Sequence, residues 1–485
     1  MYCTGPHQIV LFRSMPGYKR GTYVEIEIDS LAYGGRGLGR TEDGLVVFVE
    51  DALPGQRVAA QLRKVKRHFA HARLAEVLRQ SQQACEPRCA HFGSCGGCRL
   101  QHLEYGSQLE AKGRQVRDAL ERIGGFYDPQ VEPAIPSPAV WGYRNKMEYS
   151  FGDVRWLEPE ELKDPRLVAD RDFALGLHPR GRWDRIIHLR ECHLPSEGSV
   201  EILKLVQEGA AGSGLRPYTT KTHRGYWRFL VVREGVRTGE WMVDLITSDE
   251  PGAKGVVESI ARRIKAARPE VATITHTVSR SKAAVATGDR MEVLTGPGFI
   301  EEEIGGLRFR ISPRAFFQTN TAGAERLYEE ARALAGLEGE ELVYDVYCGT
   351  GTITLLMAAR AGRVVGFELE PSAVEDARAN AGLNGLENAE FVQGNVAGLL
   401  RGGPDWGEPD VIVLDPPRAG LGPEVSGLIP GLGAGRVVYV SCNPATLASD
   451  LSVICMNGYR LDVVKPLDMF PHTPHVECVA LLEAV

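Results

Sequence analysis

From about residue 311 to the C-terminus, short apolar runs alternate with segments of helical pattern. The candidate strands are ELVYDVYCG, RVVGFELE, AEFVQG, DVIVLDPP, RVVYVSC and VECVALLEAV. Strands that are apolar throughout and are separated by helices are typical of a parallel sheet covered by helices on both faces. The pattern therefore predicts a doubly wound, mainly parallel α/β domain, in which ligands bind at the carboxyl ends of the strands.

A glycine turn, Cys348-Gly349-Thr350-Gly351-Thr352, follows the first of these strands. Alone it fits a nicotinamide fold, although the full G-x-G-x-x-G spacing is missing. Glu368 ends the second strand, where a carboxylate can accept both ribose hydroxyls, and Asn395 and Asp415 follow strands three and four. A nicotinamide enzyme gives no reason for the D-P-P-R motif that begins at Asp415. With Asp345 ahead of the glycine turn, the set resembles the S-adenosylmethionine methyltransferase fold.

Two further residues at strand ends have side chains that can take part in catalysis. Cys442 ends the strand RVVYV, and Glu477 lies just inside the last strand. A single cysteine is most often a small buried hydrophobe, but Pro444 fixes this turn and polar residues flank the thiol. Glu477 by itself is most simply a solvated carboxylate. Together they suit methylation of uracil at C5, in which a thiolate adds to C6 and a carboxylate later removes the C5 proton. The base must first be extruded from the RNA.

Five motifs carry a family resemblance: SCNPATL, DPPRAGL, DVYCGTGT, SPRAFFQTN and DMFPHTPHVE. They resemble the signature of the RNA uridine C5-methyltransferase family, and more narrowly its bacterial 23S rRNA members with a TRAM barrel and an iron–sulfur cluster. The resemblance covers nearly the whole chain after about residue 17. It implies Cys442 as the nucleophile and Glu477 as the base that abstracts the proton. It also implies S-adenosylmethionine contacts from Gln318, Tyr347, Thr352, Glu368, Asn395 and Asp415.

Four cysteines, Cys85, Cys89, Cys95 and Cys98, lie within 14 residues. One dense cluster in a long chain indicates a metal site in a reducing compartment rather than a set of disulfides. The spacing suits zinc as well as an iron–sulfur cluster. The family pattern implies that Cys89, Cys95, Cys98 and the distant Cys192 hold a [4Fe-4S] cluster, with Cys85 extra. Because these residues lie far from Cys442 in sequence, we expect the cluster to serve folding and RNA docking.

The N-terminal region, residues 22–78, shows alternating strands and glycine turns that predict a small closed β-barrel. Residues 57–79 contain seven arginines and lysines against one glutamate, although the whole chain carries a net charge of −7. Such a run is a solvated strand face or a surface that contacts phosphates, with His68, Phe69 and His71 available to stack on bases. The resemblance to a TRAM barrel favours RNA binding.

We therefore predict three domains: a TRAM-like RNA-binding barrel (17–78), a central mixed α+β domain for the iron–sulfur cluster and RNA recognition (79–310), and a Rossmann-like class I methyltransferase domain (311–485). The central domain contains the basic and aromatic segments WGYRNKMEYSF, HPRGRWDRIIHLREC and KTHRGYWRFLVVRE. No segment approaches 18 consecutive apolar residues, which predicts that no helix spans a membrane. We expect a cytoplasmic monomer with RNA as its partner and no obligate protein partner.

Alternative interpretations of the motifs predict a different RNA substrate or different residues at the active site. The resemblance implies 23S rRNA as the substrate, with the T-loop uridine of tRNA as the alternative. An enzyme that methylates an exocyclic base nitrogen places an aromatic residue where this chain has Arg418, and it gives Cys442 and Glu477 no task. A non-catalytic RNA-binding iron–sulfur protein is expected to lack the nucleophile.

Overall fold

The computed structural model describes residues 17–164, 166, 171–250, 253–402 and 406–485. The chain divides into two compact units, Met1–Cys85 and Glu86–Val485. In the part of the chain that is described, every helix is too short or too polar to cross a membrane.

The first unit contains a closed five-stranded barrel, with the strand order β1-β2-β3-β5-β4. Alternation along the first strand places Ile26 and Ile28 inside and leaves Glu25 and Glu27 exposed. Gly39 lies so close to the neighbouring strand that a Cβ there would stand 2.1 Å from the Glu27 carbonyl oxygen. This barrel confirms the prediction for the N-terminal region. Its strands are β1 (Tyr23–Ala32), β2 (Arg36–Arg40), β3 (Val46–Glu50), β4 (Arg57–Val65) and β5 (Phe69–Arg79).

The second unit begins with helix α1 (Tyr105–Arg122) and continues into an eight-stranded mixed sheet. The sheet order is β13-β12-β11-β10-β6-β8-β9-β7, with the strands β6 (Lys146–Gly152), β7 (Arg155–Trp156), β8 (Ala174–Leu177), β9 (Ile186–His188), β10 (Trp227–Glu234), β11 (Trp241–Thr247), β12 (Val271–Val278) and β13 (Arg290–Thr295). Its helices are α2 (Pro159–Lys163), α3 (Glu197–Ala211) and α4 (Lys254–Ala267). Apolar side chains of α3 and α4 form one core with the sheet, including Ile202, Ile260 and Leu230. The hairpin of β14 (Ile300–Ile304) and β15 (Leu307–Ile311) follows.

The C-terminal sheet has seven strands in the order β18-β17-β16-β19-β20-β22-β21. The strands are β16 (Leu342–Val346), β17 (Arg363–Glu368), β18 (Ala389–Gln393), β19 (Val411–Leu414), β20 (Arg436–Ser441), β21 (Tyr459–Leu467) and β22 (Glu477–Ala484). The helices are α5 (Thr321–Ala335), α6 (Thr352–Ala358), α7 (Pro371–Asn384), α8 (Val396–Arg401), α9 (Gly422–Leu428) and α10 (Pro444–Cys455), with a 3-10 turn at Ile429–Leu432. Six of the seven strands point in the same direction, and β22 runs antiparallel to both of its neighbours, β20 and β21. The predicted doubly wound fold is confirmed.

Two apolar cores cover the two faces of this sheet. One joins β16, β17, β19 and β20 to helices α5, α6 and α7, and the other joins the sheet to α10 and to α1 through Val116 and Leu120. Helix α1 therefore belongs to the packing of the C-terminal sheet although it precedes the central sheet in sequence. Strand β21 is not evident from the sequence, because Arg460, Asp462 and Lys465 interrupt the apolar pattern of this edge strand.

Candidate active site

Cys442 lies at the junction between β20 and α10. Asn443 caps the helix, since its side-chain oxygen accepts a hydrogen bond from the Ala445 N–H at 3.1 Å, and Pro444 occupies the first helical turn. The Asn443 N–H also donates to the Ser441 hydroxyl oxygen at 3.1 Å. These short-range bonds fix the backbone on both sides of Cys442, whose side chain is half-buried.

Glu477 meets this cysteine across the sheet. In the antiparallel pair of β20 and β22, Ser441 lies opposite Cys478. The next position outward on each strand is Cys442 on one side and Glu477 on the other, so the register sets the two residues beside each other. Glu477 is only 5% exposed, and its charge acts to raise the pKa of the Cys442 thiol.

Both groups have strongly perturbed acidity. Burial, followed by the charge of Glu477, raises the pKa of the Cys442 thiol to about 11. Burial, followed by the charge of Asp415, raises the pKa of the Glu477 carboxyl to about 8. Arg418 opposes both shifts, because its positive charge favours the thiolate and the carboxylate. A carboxyl whose pKa is raised toward neutrality is typical of acid–base chemistry, whereas the raised pKa of the thiol disfavours the thiolate that reacts.

Arg418 is a residue of this pocket to which the sequence analysis gave no role. It follows Asp415 in the loop after β19, and its backbone carbonyl accepts a hydrogen bond from the Asn443 side chain at 3.1 Å. This bond ties the loop after β19 to the loop that carries Cys442. The only sequence signal for Arg418 is its place directly after D-P-P.

The loop that precedes Glu477 is held by buried contacts from α1. The Lys112 ammonium pairs with the Asp468 carboxylate at 2.5 Å, and both side chains are almost fully buried. The side-chain oxygen of Gln108 accepts a hydrogen bond from the His472 N–H at 2.9 Å. The His472 ring stacks on Trp141 with 3.8 Å between ring centroids. These contacts join the loop to α1 and to Trp141, and the buried ion pair is costly to break by removing one partner alone.

A second group of side chains surrounds the glycine turn after β16. One carboxylate oxygen of Glu368 accepts a hydrogen bond from the Gly349 N–H at 3.1 Å, and the other accepts from the Leu369 and Glu370 N–H groups at 2.8 Å. Gly351 has a φ of 82°, which favours glycine. Glu368 is thereby fixed at the end of β17, beside the turn that leads into α6.

Two carboxylates, Asp345 and Asp415, lie deeper at the same edge of the sheet. Asp345 accepts a hydrogen bond from the Thr354 hydroxyl at 2.6 Å. Its second oxygen is buried, and within the described residues it has no hydrogen-bond partner. Burial raises the pKa of both carboxyls to about 7, and the charge of Asp345 adds to the shift of Asp415. An unpaired buried oxygen at the carboxyl edge of a parallel sheet is suited to a polar ligand.

Tyr328, on α5, joins the two groups of residues, and the sequence analysis missed it. The Gln318 side chain hydrogen-bonds to the buried Tyr328 hydroxyl, and the charges of Asp415, Asp345 and Glu477 all act on it. Burial is the main reason that the pKa of Tyr328 stands well above its usual value. No local pattern marks this tyrosine, because it lies within an ordinary amphipathic helix.

The six residues expected at S-adenosylmethionine occupy different environments. Glu368, Tyr347, Gln318 and Asp415 lie around the same end of the sheet, and Tyr347 takes a φ of 71° at the end of β16. Thr352 is buried in the first turn of α6. Asn395 is exposed and caps α8, since its side-chain oxygen accepts from the Gly398 N–H at 3.2 Å.

The cysteine loop, residues 89–98, lies against the segment that contains Cys192. The Glu191 carboxylate accepts a hydrogen bond from the Ala90 N–H at 2.7 Å, and the His91 ring accepts from the Arg190 N–H at 3.1 Å. Charges on Cys89, Cys95 and Cys98 would each raise the pKa of Cys192, which places the four thiols in one neighbourhood. In the described part of the chain, no three His, Cys, Asp or Glu side chains are gathered closely enough to hold a single metal ion.

Comparison with known proteins gives three family matches. Residues 18–75 match the TRAM domain, residues 338–414 match a methyltransferase domain, and residues 407–485 match the tRNA (uracil-5-)-methyltransferase family. An uncharacterized RNA methyltransferase of Chlorobaculum tepidum is 41% identical over 471 residues, which is 96% of this chain and 97% of the relative. Another, from Halalkalibacterium halodurans, is 40% identical over 95% of this chain and 96% of its own.

A solved structure agrees with these matches. The tRNA (uracil-54, C5)-methyltransferase of Pyrococcus abyssi, in complex with S-adenosyl-L-homocysteine, superposes with a TM-score of 0.71 and 30% identity. The match covers 94% of this chain and 99% of that one. The fold and the pocket at its strand ends define a class I S-adenosylmethionine-dependent methyltransferase. Within that class, the chain belongs to the RNA uracil-5-methyltransferase family.

Proposed function

We propose that this protein transfers a methyl group from S-adenosylmethionine to C5 of a uridine in RNA through a covalent bond between Cys442 and C6 of the base. The observation that supports it most strongly is the register of β20 and β22, which sets the Cys442 thiol beside the buried Glu477 carboxyl. The proposal uses both residues, whereas methylation of an exocyclic nitrogen uses neither.

The chemistry follows from the two side chains. The Cys442 thiolate adds to C6 of uracil, which places electron density at C5. S-adenosylmethionine supplies the methyl group to that carbon. The Glu477 carboxylate then removes the proton from C5, and the bond between Cys442 and C6 breaks to regenerate the ring and the thiolate. We assign the binding of S-adenosylmethionine to Gln318, Tyr347, Glu368 and Asp415, and also to Thr352 and Asn395.

Arg418 has a positioning and electrostatic role in this scheme. Its positive charge lowers the pKa of both Cys442 and Glu477. Burial favours the neutral forms of both groups, and the nearby cation acts in the opposite direction by favouring the thiolate and the carboxylate. Arg418 is also exposed, which leaves its guanidinium available to a phosphate of the RNA.

The RNA that we favour as the substrate is 23S rRNA, because the motifs and the cysteine set resemble those of bacterial enzymes with that substrate. The alternative is the T-loop uridine of tRNA, and the similarity to an archaeal tRNA (uracil-54, C5)-methyltransferase favours it. Mapping 5-methyluridine in the rRNA and tRNA of a strain that lacks the gene decides between them, since one modified position will be lost.

Release of tritium from RNA labelled at C5 of uridine tests the reaction class. Methylation at C5 replaces that hydrogen, so we expect one tritium to reach the solvent for each methyl group transferred from S-adenosylmethionine. Methylation at a nitrogen transfers the methyl group and leaves the label in the RNA. Stoichiometric methyl transfer without tritium release would therefore overturn the proposal.

We also propose that Cys89, Cys95, Cys98 and Cys192 hold a [4Fe-4S] cluster. The four half-buried or buried thiols lie close to one another, and a bound cluster would favour their thiolate forms, which burial otherwise disfavours. In such a cluster each cysteine binds a different iron, so the ligands stand further apart than around one ion. This spacing is compatible with four neighbouring thiols that do not form a single-ion site. The cluster would supply local stability by joining the loop 89–98 to Cys192.

We expect protein purified without oxygen to be brown and to contain about four iron atoms and four sulfides per chain. Cys98→Ala should lose the colour and most of the iron, because one ligand is removed. Cys85→Ala is the matched control, since Cys85 lies in the same cysteine-rich segment and should not affect the iron content. A colourless protein with one zinc ion would contradict the assignment.

A further inference from the structure

A partly open cleft lies on the central sheet, and its lining residues are separate from the strand ends that carry Cys442. One wall comes from the turn between β8 and β9, and the opposite wall comes from the loop that leads into β10. These walls belong to two of the basic and aromatic segments, HPRGRWD and KTHRGYWR. They are far apart in sequence and meet only in the folded chain.

The cleft offers flat aromatic rings. Trp183 stands at its rim with 69% of its surface exposed. Across from it, the Tyr218 ring is half-buried, and the Arg228 guanidinium lies 4.3 Å from its centroid. The Tyr218 hydroxyl is within 3.0 Å of the His223 ring nitrogen. A large ring left in solvent beside a cleft is suited to stacking on a planar ligand.

The charge of the cleft is positive. Arg185, Lys221 and Arg228 line it, against Asp153 and Asp184. Asp184 already pairs with the Arg182 guanidinium at 3.0 Å. The cleft therefore favours an anionic ligand, and the phosphates of a nucleic acid fit this requirement.

Three residues that line the cleft contain buried polar atoms without partners. The Nδ1 of His178 and the Nε atoms of Arg185 and Arg228 are buried, and among the described residues they have no hydrogen-bond partner. Buried donors and acceptors without partners are rare in folded proteins, and a ligand or a bound water would satisfy them.

Hydrogen bonds hold the segments around the cleft to neighbouring parts of the chain. Arg228 donates hydrogen bonds to the carbonyls of Ser279, Ser281 and Ala283 at 3.0, 2.6 and 2.7 Å. These bonds hold the segment before Ala284, which also lines the cleft. The Arg180 guanidinium donates to the Cys95 and Cys98 carbonyls at 3.2 and 2.8 Å. The turn that carries Trp183 is thus tied to the cysteine loop.

We propose that this cleft binds one unstacked nucleotide of the substrate RNA, at a position other than the uridine that is methylated. The base stacks on Trp183, and the flanking phosphates contact Arg185 and Lys221. The inference rests on the proposed function, since it assigns the ligand to the same RNA. Single-stranded RNA is recognised in this way, through bases that are splayed out onto aromatic rings beside cations.

The test compares RNA affinity with the chemical step. The probes are 5-fluorouridine transcripts of bacterial 23S rRNA segments and of tRNA. The transcript that forms a covalent adduct with the wild-type protein is then used for every variant. Trp183→Ala should weaken binding of that RNA about tenfold, while the rate of adduct formation at saturating RNA stays unchanged. Trp183→Phe should retain affinity within about twofold, because a phenyl ring still stacks. Tyr127→Ala removes a 99% exposed aromatic outside the cleft and serves as the matched control.

Cross-linking identifies the nucleotide. With 4-thiouridine in the RNA, we expect a peptide containing Trp183 or Lys221 to carry a nucleotide different from the one attached to Cys442. Wild-type affinity in Trp183→Ala, or cross-links from the cleft only to the methylated position, would overturn the inference. If the wild-type protein forms no adduct with any transcript, the proposed function itself fails. If the wild-type protein forms the adduct and Trp183→Ala binds the RNA with wild-type affinity, only the proposed role of the cleft is refuted.

Discussion

Cys442→Ala is expected to abolish the covalent adduct with 5-fluorouridine RNA and to reduce methyl transfer by at least about a thousandfold. The wild-type thiolate adds to C6 and the methyl group reaches C5, but fluorine cannot leave as a proton does, so the protein stays attached to the RNA. Alanine has no sulfur to form this bond. The measurement is a mobility shift on a denaturing gel together with transfer of labelled methyl groups.

The chain offers a closely matched control for this experiment. Cys455 ends α10, the helix that begins just after Cys442, and its thiol is also half-buried. Burial raises the pKa of both thiols to about 11. The Cys455→Ala variant should therefore form the adduct as fully as the wild type does. The Cys455 thiol has the same pKa as the Cys442 thiol but does not lie beside Glu477. An adduct that persists in Cys442→Ala would refute the nucleophile, and the non-catalytic alternative predicts no adduct in any variant.

Glu477→Gln is expected to halt the reaction after methyl transfer, so that the covalent complex accumulates with ordinary uridine RNA. Glutamine has nearly the same shape as glutamate, but it cannot accept the C5 proton. Loss of a general base typically costs between about a hundredfold and ten-thousandfold in rate. The experiment follows the protein–RNA complex and the release of 5-methyluridine RNA over time. Release at the wild-type rate would contradict the role of Glu477.

The same variant should shift the pH dependence of adduct formation in a defined direction. The thiolate of Cys442 is the reactive form, and the negative charge of Glu477 raises its pKa. Removing that charge lowers the thiol pKa, so the adduct with 5-fluorouridine RNA should form at lower pH in Glu477→Gln than in wild type. Glu483→Gln, on the same strand and paired with Arg460 at the surface, should leave the profile unchanged.

Much of the catalytic domain can be predicted from the sequence because its signals are local. Six of its seven strands are recognisable in the sequence, and Glu368, Asp415 and Cys442 lie at the carboxyl ends of three of them. In a parallel sheet the carboxyl ends of all strands lie at one edge, so the sequence alone assigns Glu368, Asp415 and Cys442 to one site. The closed barrel is similarly evident from alternation and glycine turns.

The tertiary structure decided which distant residues meet. The antiparallel strand β22 lies between β20 and the edge strand β21, and this pairing brings Glu477 to Cys442. Tyr328 reaches the pocket from α5, and Trp183 and Tyr218 face one cleft from separate loops. Periodicity in a sequence reports which side of a strand or helix is buried, because that depends on neighbours along the chain. It does not report the partner strand or helix, because partners are chosen by packing between segments that are far apart in sequence.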